Sequence, residues 1–190
     1  MLGIITFSLI FIIAIVAVIW GLRRSPKTSP KEQNGLFRGM AVRMVVALIV
    51  QFFVGLTVNL WVTVPKSHPG AKSSDYFAGV YNGVQWALAH SGIGFLALHV
   101  LIAILLIIFS TAFLIAAILK QNRFWIKAFA LGDFFIMLAF FNGASFLNYG
   151  EQFSSLLMEI FFVCSISTFL ATLYITKPAQ KPGSKKTNWI

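Results

Sequence analysis

From Val84 to Leu119 the chain reads VQWALAHSGIGFLALHVLIAILLIIFSTAFLIAAIL, with no Asp, Glu, Lys or Arg before Lys120. At 1.5 Å per residue this stretch of about 36 residues would make a helix of roughly 54 Å, against a bilayer hydrocarbon core of about 30 Å. It therefore belongs in a membrane and must tilt, break or protrude. Ser91-Gly92-Ile93-Gly94 is the natural place for a bend, and either a bend or an extension brings the His90 region near the external face.

Four further apolar runs flank it: Met1 to Gly21, about Met44 to Pro65, Lys127 to about Leu147, and about Phe153 to Ile175, where Thr176-Lys177-Pro178 stops the last. The whole chain of 190 residues is 58% hydrophobic and only 11% charged, with a mean hydropathy of +0.86, which excludes a soluble globular domain. The expectation is an all-α integral membrane bundle of five transmembrane helices. Its parts are a first helix over 1–21, a basic cytoplasmic linker over 22–43, a membrane core over 44–176 with an external loop at 66–83, and a basic cytoplasmic tail over 177–190.

The net charge of +10 would suggest nucleic acid in a soluble chain. Here the basic residues sit in short stretches between apolar runs, which answers to membrane topology and anionic lipid instead. Arg23, Arg24, Lys27, Lys31, Arg38 and Arg43 precede the second run. Lys120, Arg123 and Lys127 lie between the third and fourth, and Lys177, Lys181, Lys185 and Lys186 in the tail, leaving only Lys66 and Lys72 in the alternate loops. That asymmetry places the N-terminus outside and the C-terminus in the cytoplasm of a bacterial-type plasma membrane. A cleaved signal peptide would carry its charge before the first run, not after it.

Polar groups inside a bilayer are costly, so they mark interhelical contacts or function. Gln51 and Asn59 lie about 80° apart around the second helix, with Gly55 midway. They read either as interhelical hydrogen bonding beside a small residue or as the lining of a ligand pocket. His90 and His99 are nine residues apart, about 13.5 Å of rise and on nearly opposite faces of an unbroken helix, so one helix cannot offer both to one haem iron. Asn142, Ser145 and Asn148 recur on one side of the fourth run, as do Gln152, Ser155 and Glu159 on the fifth. If these stripes converge, Asn59, His90, His99, Asn142, Ser145 and Glu159 make a ligand-binding polar pocket in the outer half of the membrane, beneath an external loop carrying His68, Asp75 and Tyr76. The alternative is that they tie the outer helix ends together. Asp133 reads as an interfacial ion pair with Lys127 or Arg123.

Several chemistries lack their residues. Cys164 is the lone cysteine, so neither a disulfide framework nor a cysteine metal site exists, and there is no HExxH, Walker-type loop or GxSxG. Gly79 and Gly83 form a GxxxG, a motif that can bring two helices together. The segments Val58-Asn59-Leu60-Trp61-Val62-Thr63-Val64-Pro65, Ser67-His68-Pro69-Gly70-Ala71 and Phe141-Asn142-Gly143-Ala144-Ser145-Phe146-Leu147 resemble those of an uncharacterised group of small bacterial polytopic membrane proteins. The resemblance spans about Met44 to Tyr174 and implies no activity, only that these helix ends and the His68 loop form a distinguishing surface. A short bundle with histidines in one span is also similar to the b-type membrane cytochromes, without their paired histidines on facing helices.

The expected function is therefore a non-enzymatic membrane protein, embedded in the lipid bilayer, binding a small ligand, a lipid or a partner membrane subunit, the last including a second copy of itself. Two alternatives stand beside it. One is a redox carrier holding haem b through His99, assisted by Met137, Met158 or another subunit, and exchanging electrons with a quinone. The other is a small transporter or channel in which His99 and Glu159 relay protons.

Overall fold

Ser29-Pro30-Lys31-Glu32 starts the first described helix by mutual capping. The Ser29 hydroxyl accepts from the Glu32 amide at 3.3 Å, the Glu32 carboxylate accepts from the Ser29 amide at 2.8 Å, and Pro30 needs no donor there. The computed structural model describes residues 29–89 and 94–176. Within them lie five helices: α1 (Pro30–Trp61), α2 (Tyr76–Ala89), α3 (Gly94–Leu119), α4 (Arg123–Tyr149) and α5 (Gln152–Ile175). Among these, α1, α3, α4 and α5 are long and apolar enough to cross a membrane. The apolar run at 1–21 and the tail at 177–190 lie outside the described residues.

Two boundaries differ from those read in the sequence. Helix α1 begins at Pro30 and not near Met44, so much of the expected linker is helical. The reason is packing: Phe37, Ala41, Met44 and Leu48 recur at three- and four-residue spacing and are all buried. The long apolar stretch is divided, α2 ending at Ala89 and α3 beginning at Gly94, with His90 among the residues not described. Helix α2 also starts at Tyr76, inside the expected loop, where the Asp75 carboxylate accepts from the Ala78 amide at 3.1 Å.

The four long helices form a ring in which α3 and α5 each pack against both α1 and α4, while α2 lies against α3 and α4. One end of the bundle carries Lys31, Arg38, Lys120, Arg123 and Lys127 and is the basic end; the other, beneath the connection from α1 to α2, is the loop end. The core is densest toward the basic end, where Trp125 stacks on Phe129 at 5.5 Å between centroids, flanked by Phe37 and Phe169. The Trp125 indole N–H donates to Asn34 Oδ1 at 2.8 Å. Helices α4 and α5 approach closely at Gly132, whose missing side chain is replaced by the Phe169 ring. Outward-facing Val50, Phe53, Phe134, Val163 and Leu170 are exposed, an apolar coat suited to lipid.

The Gly79–Gly83 pair has a partner within the chain. Gly70, held at φ +95, lays its backbone on α2: a Cβ there would stand 2.5 Å from both Gly79 O and Gly83 N. Only a glycine at position 70 allows this approach, and a Cβ on Gly79 would meet Asn148 and Ser73, while Gly83 has room for one. The motif packs the loop onto α2.

Candidate functional site

Helices α1 and α5 run antiparallel and are pinned at the basic end, where Arg38 Nη1 donates to Leu173 O at 2.6 Å and to Thr176 Oγ1 at 3.2 Å. They meet again at Phe52 and Phe162, whose rings stack with centroids 6.3 Å apart. Toward the loop end a cavity of about 1070 Å³ lies between them, backed by α3 and α4 and roofed by residues of the 62–72 connection. Its shaft is mainly apolar, with Leu48, Leu106 and Ile136 on the side nearer the basic end.

Gln51, Gly55 and Asn59 recur every four residues along α1, and all three line this cavity. Gln51 is 5% exposed; its Nε2 donates to the His99 carbonyl at 3.1 Å and lies 3.4 Å from His99 Nε2. With the amide donating, Nε2 of the ring accepts and the ring proton falls on Nδ1. Gly55 makes room for that ring, since a Cβ there would be 3.1 Å from His99 Cε1 and 3.4 Å from Nδ1. Three buried polar atoms of residues that border the cavity have no hydrogen-bond partner among the described residues: Gln51 Oε1, His99 Nδ1 and Asn148 Nδ2, the last packed against Gly79 of α2. Each unmade bond costs about 1–3 kcal/mol, so the wall keeps unmet hydrogen-bonding capacity.

Of the residues singled out in the sequence, Asn59, His99 and Glu159 line this one cavity together with Ser155 and Gln152, and His68 lies in its roof. No bond joins Glu159 to His99. Asn142 and Ser145 do not line it. Asn142 Nδ2 donates to Leu138 O of its own helix at 2.8 Å, and Ser145 Oγ pairs with Tyr76 OH at 2.9 Å and bonds Phe141 O. Six residues turn a helix through about 120° from alignment, so Asn148 reaches the cavity while Asn142 points elsewhere. Asp75 caps α2 instead of facing the cavity. Gln51 was legible only as part of a polar stripe, and Asn148 only as the end of another.

The arrangement does not present His99 as an axial haem ligand. Its Nε2 is turned to the Gln51 amide and its other edge to Gly55, so neither ring nitrogen directs a lone pair into the open space. Met158 lines the cavity with its Sδ against Gly143, whereas Met137 does not.

Asp133 departs from the expected ion pair. Its carboxylate accepts from the hydroxyls of Ser110 and Thr111 on α3, the latter at 3.3 Å, and not from Lys127 or Arg123. This half-buried triad, with Ser165 Oγ donating to Gly132 O at 3.3 Å, links α3, α4 and α5, and Ser165 also borders the cavity.

The connection above the cavity is fastened to the end of α4. The Lys72 amide donates to Asn148 O at 2.7 Å, the Ser73 amide to Asn148 Oδ1 at 3.1 Å, and His68 contacts Leu147 O at 3.0 Å. The Lys72 bond satisfies a main-chain carbonyl that a helix C-terminus leaves open, before Gly150 ends α4 in the left-handed conformation at φ 71. Comparison of the chain with protein-family models, with curated proteins and with solved structures gave no match.

Proposed function

We propose that this chain is a multi-pass protein of a bacterial-type plasma membrane that binds an amphipathic molecule, a lipid or lipid-like ligand, in the cavity between α1 and α5, without doing chemistry on it. The observation that carries the reading is the cavity itself, about 1070 Å³, apolar along its shaft and polar at its roof. Ligand pockets commonly enclose about 300–1,000 Å³, so a chain and a headgroup fit together here. Phe52, Leu56 and Val163 belong to both the cavity wall and the exposed apolar surface, which gives a ligand a side passage from the bilayer. Lys66 and Lys72 lie in the roof, where they would meet an anionic headgroup while the chain descends toward Leu106.

Five crossings, with the apolar run at 1–21 as the first, the N-terminus outside and the tail in the cytoplasm, agree with the distribution of basic residues. Reporter fusions at Gln121 and after Ile190 should then read as cytoplasmic and one at Gly70 as external; the opposite pattern would reverse the orientation. The ligand reading is tested by native mass spectrometry of protein released in mild detergent. A lipid should accompany the wild type and be lost from Ala103→Trp, which fills the shaft. Equal lipid on both, or none on either, would remove the reading.

A further inference from the structure

The cavity walls carry polar side chains that the described residues leave without partners. Gln152, Ser155 and Glu159 stand at i, i+3 and i+7 on α5 and all line the cavity, and Asn59 lines it from α1. Asn59 and Glu159 are exposed, and neither makes a side-chain hydrogen bond or ion pair among the described residues. A carboxyl group and an amide within membrane segments are costly when unpartnered, so such groups face other helices, water or a ligand. Among the described residues around the cavity Glu159 is the acid, and the cations Lys66 and Lys72 stand apart from it in the roof.

The vertical order of these groups constrains what lies between them. Glu159 follows Gln152 by seven residues, about 10 Å at about 1.5 Å per residue, so the polar zone reaches that far below the head of α5. From Asn59 the wall of α1 descends eleven residues further to Leu48, about 16 Å. That length takes about a dozen carbons of an extended chain, each adding about 1.3 Å from bonds of about 1.5 Å. From the roof downward the cavity therefore offers two cations, then a carboxyl group with an amide, then a mainly apolar shaft.

A two-chain phospholipid matches the first and third of these levels but not the second. Below its phosphate it carries two ester groups, which only accept hydrogen bonds and would face the acceptor oxygens of Glu159. A single-chain phospholipid has a free glycerol hydroxyl at that level. A hydroxyl both donates and accepts, so its proton can go to Glu159 while its oxygen takes an N–H from Asn59 on the opposite wall. An ammonium there only donates and would leave that N–H unmet.

We propose that the ligand is a monoacyl phospholipid, with its phosphate on Lys66 and Lys72, its free glycerol hydroxyl between Glu159 and Asn59, and its chain in the shaft toward Leu106. The assignment rests on the reading of the cavity as an amphiphile site and adds what selects the amphiphile. Glu159 is the group that tells one acyl chain from two, because the second chain replaces the hydroxyl it needs with an ester.

Native mass spectrometry of the full-length protein, stripped of lipid in a mild non-ionic detergent, reads this selection. The probes, offered at equal concentration, are palmitoyl lysophosphatidylglycerol, its analogue with hydrogen in place of the glycerol-backbone hydroxyl, and dipalmitoyl phosphatidylglycerol. Bound lysolipid should exceed each of the others about tenfold or more, the worth of a hydrogen bond to a carboxylate. Glu159→Leu should bring the ratio of lysolipid to its deoxy analogue to about one. Glu159→Gln, which keeps a neutral acceptor, should lower that ratio roughly fivefold. Lys66→Gln combined with Lys72→Gln should weaken both lipids alike and leave the ratio as in the wild type. Equal binding of lysolipid and deoxy analogue by the wild type, a ratio unchanged in both Glu159 variants, or a two-chain lipid bound as well as the lysolipid would each overturn the assignment and leave the cavity a lipid site. Binding of none of the three would remove the ligand reading together with it.

Discussion

Gly132→Ala puts the packing of α4 on α5 to a quantitative test. The added methyl carbon would stand 2.8 Å from Phe169 Cε2 and 3.0 Å from Cε1, and closer still to Cζ. Carbon atoms pack best at about 3.5–4.0 Å, so the nearest ring atom must retreat by roughly 1.1–1.6 Å. It has little room to do so, because Phe169 is fully buried against Phe129, 6.2 Å away between centroids. Overpacking of this kind costs about 1–3 kcal/mol. Phe169→Ala alone removes the ring and costs about 3–5 kcal/mol, and in that background the methyl at position 132 enters vacated space. The two substitutions should therefore couple by about 1–3 kcal/mol, measured by reversible unfolding of the four cycle members in mixed micelles. If Gly132→Ala changes stability by less than about 0.5 kcal/mol with and without Phe169, the two helices are not packed as described.

Three further outcomes are expected. Asn34→Leu leaves the buried Trp125 indole N–H without its acceptor and should destabilise by about 1–3 kcal/mol in the same unfolding assay, whereas a neutral result would deny the α1–α4 contact. Arg38→Met removes a charge-assisted bond to Leu173 O and should speed amide exchange in the last turn of α5 about tenfold or more, with the first turn unaffected. Gly70→Ala meets both a positive φ and the backbone of α2, so the amides of Lys72 and Ser73 should lose protection while α3 to α5 keep theirs.

The four long helices were legible because their apolar runs have no other solvent. Their limits were less so. Arg38 and Arg43 argue from charge that the membrane segment starts at Met44, yet Ser29-Pro30-Lys31-Glu32 is a capping signature written in the sequence, and Phe37 and Ala41 continue the buried stripe behind it. A basic residue marks where a helix leaves the membrane, not where it ends. The stripe Gln51-Gly55-Asn59 was readable from helical periodicity, and Gly55 as a site of close approach; that the approaching group is His99 depends on which helices are neighbours, which no local signal encodes. Asn142, Ser145 and Asn148 look like one stripe but fan across an arc that faces Leu138 of its own helix, Tyr76 and the cavity in turn. Asp133 was misjudged for the same reason, since its partners Ser110 and Thr111 come from α3 and not from the adjacent basic turn. The seating of Gly70 on Gly79 and Gly83 is a register between a loop and a helix, set only by tertiary fit.

The most direct measurement is an experimental density map of the protein in a lipid nanodisc. We expect α1 and α5 to part beyond the Phe52–Phe162 stack, with elongated density in the space between them running from the Lys66 and Lys72 roof toward Leu106. Helices α1 and α5 closed against each other along their full length, with Asn59 and Glu159 facing the surrounding lipid and no density between them, would contradict the binding of a membrane amphiphile.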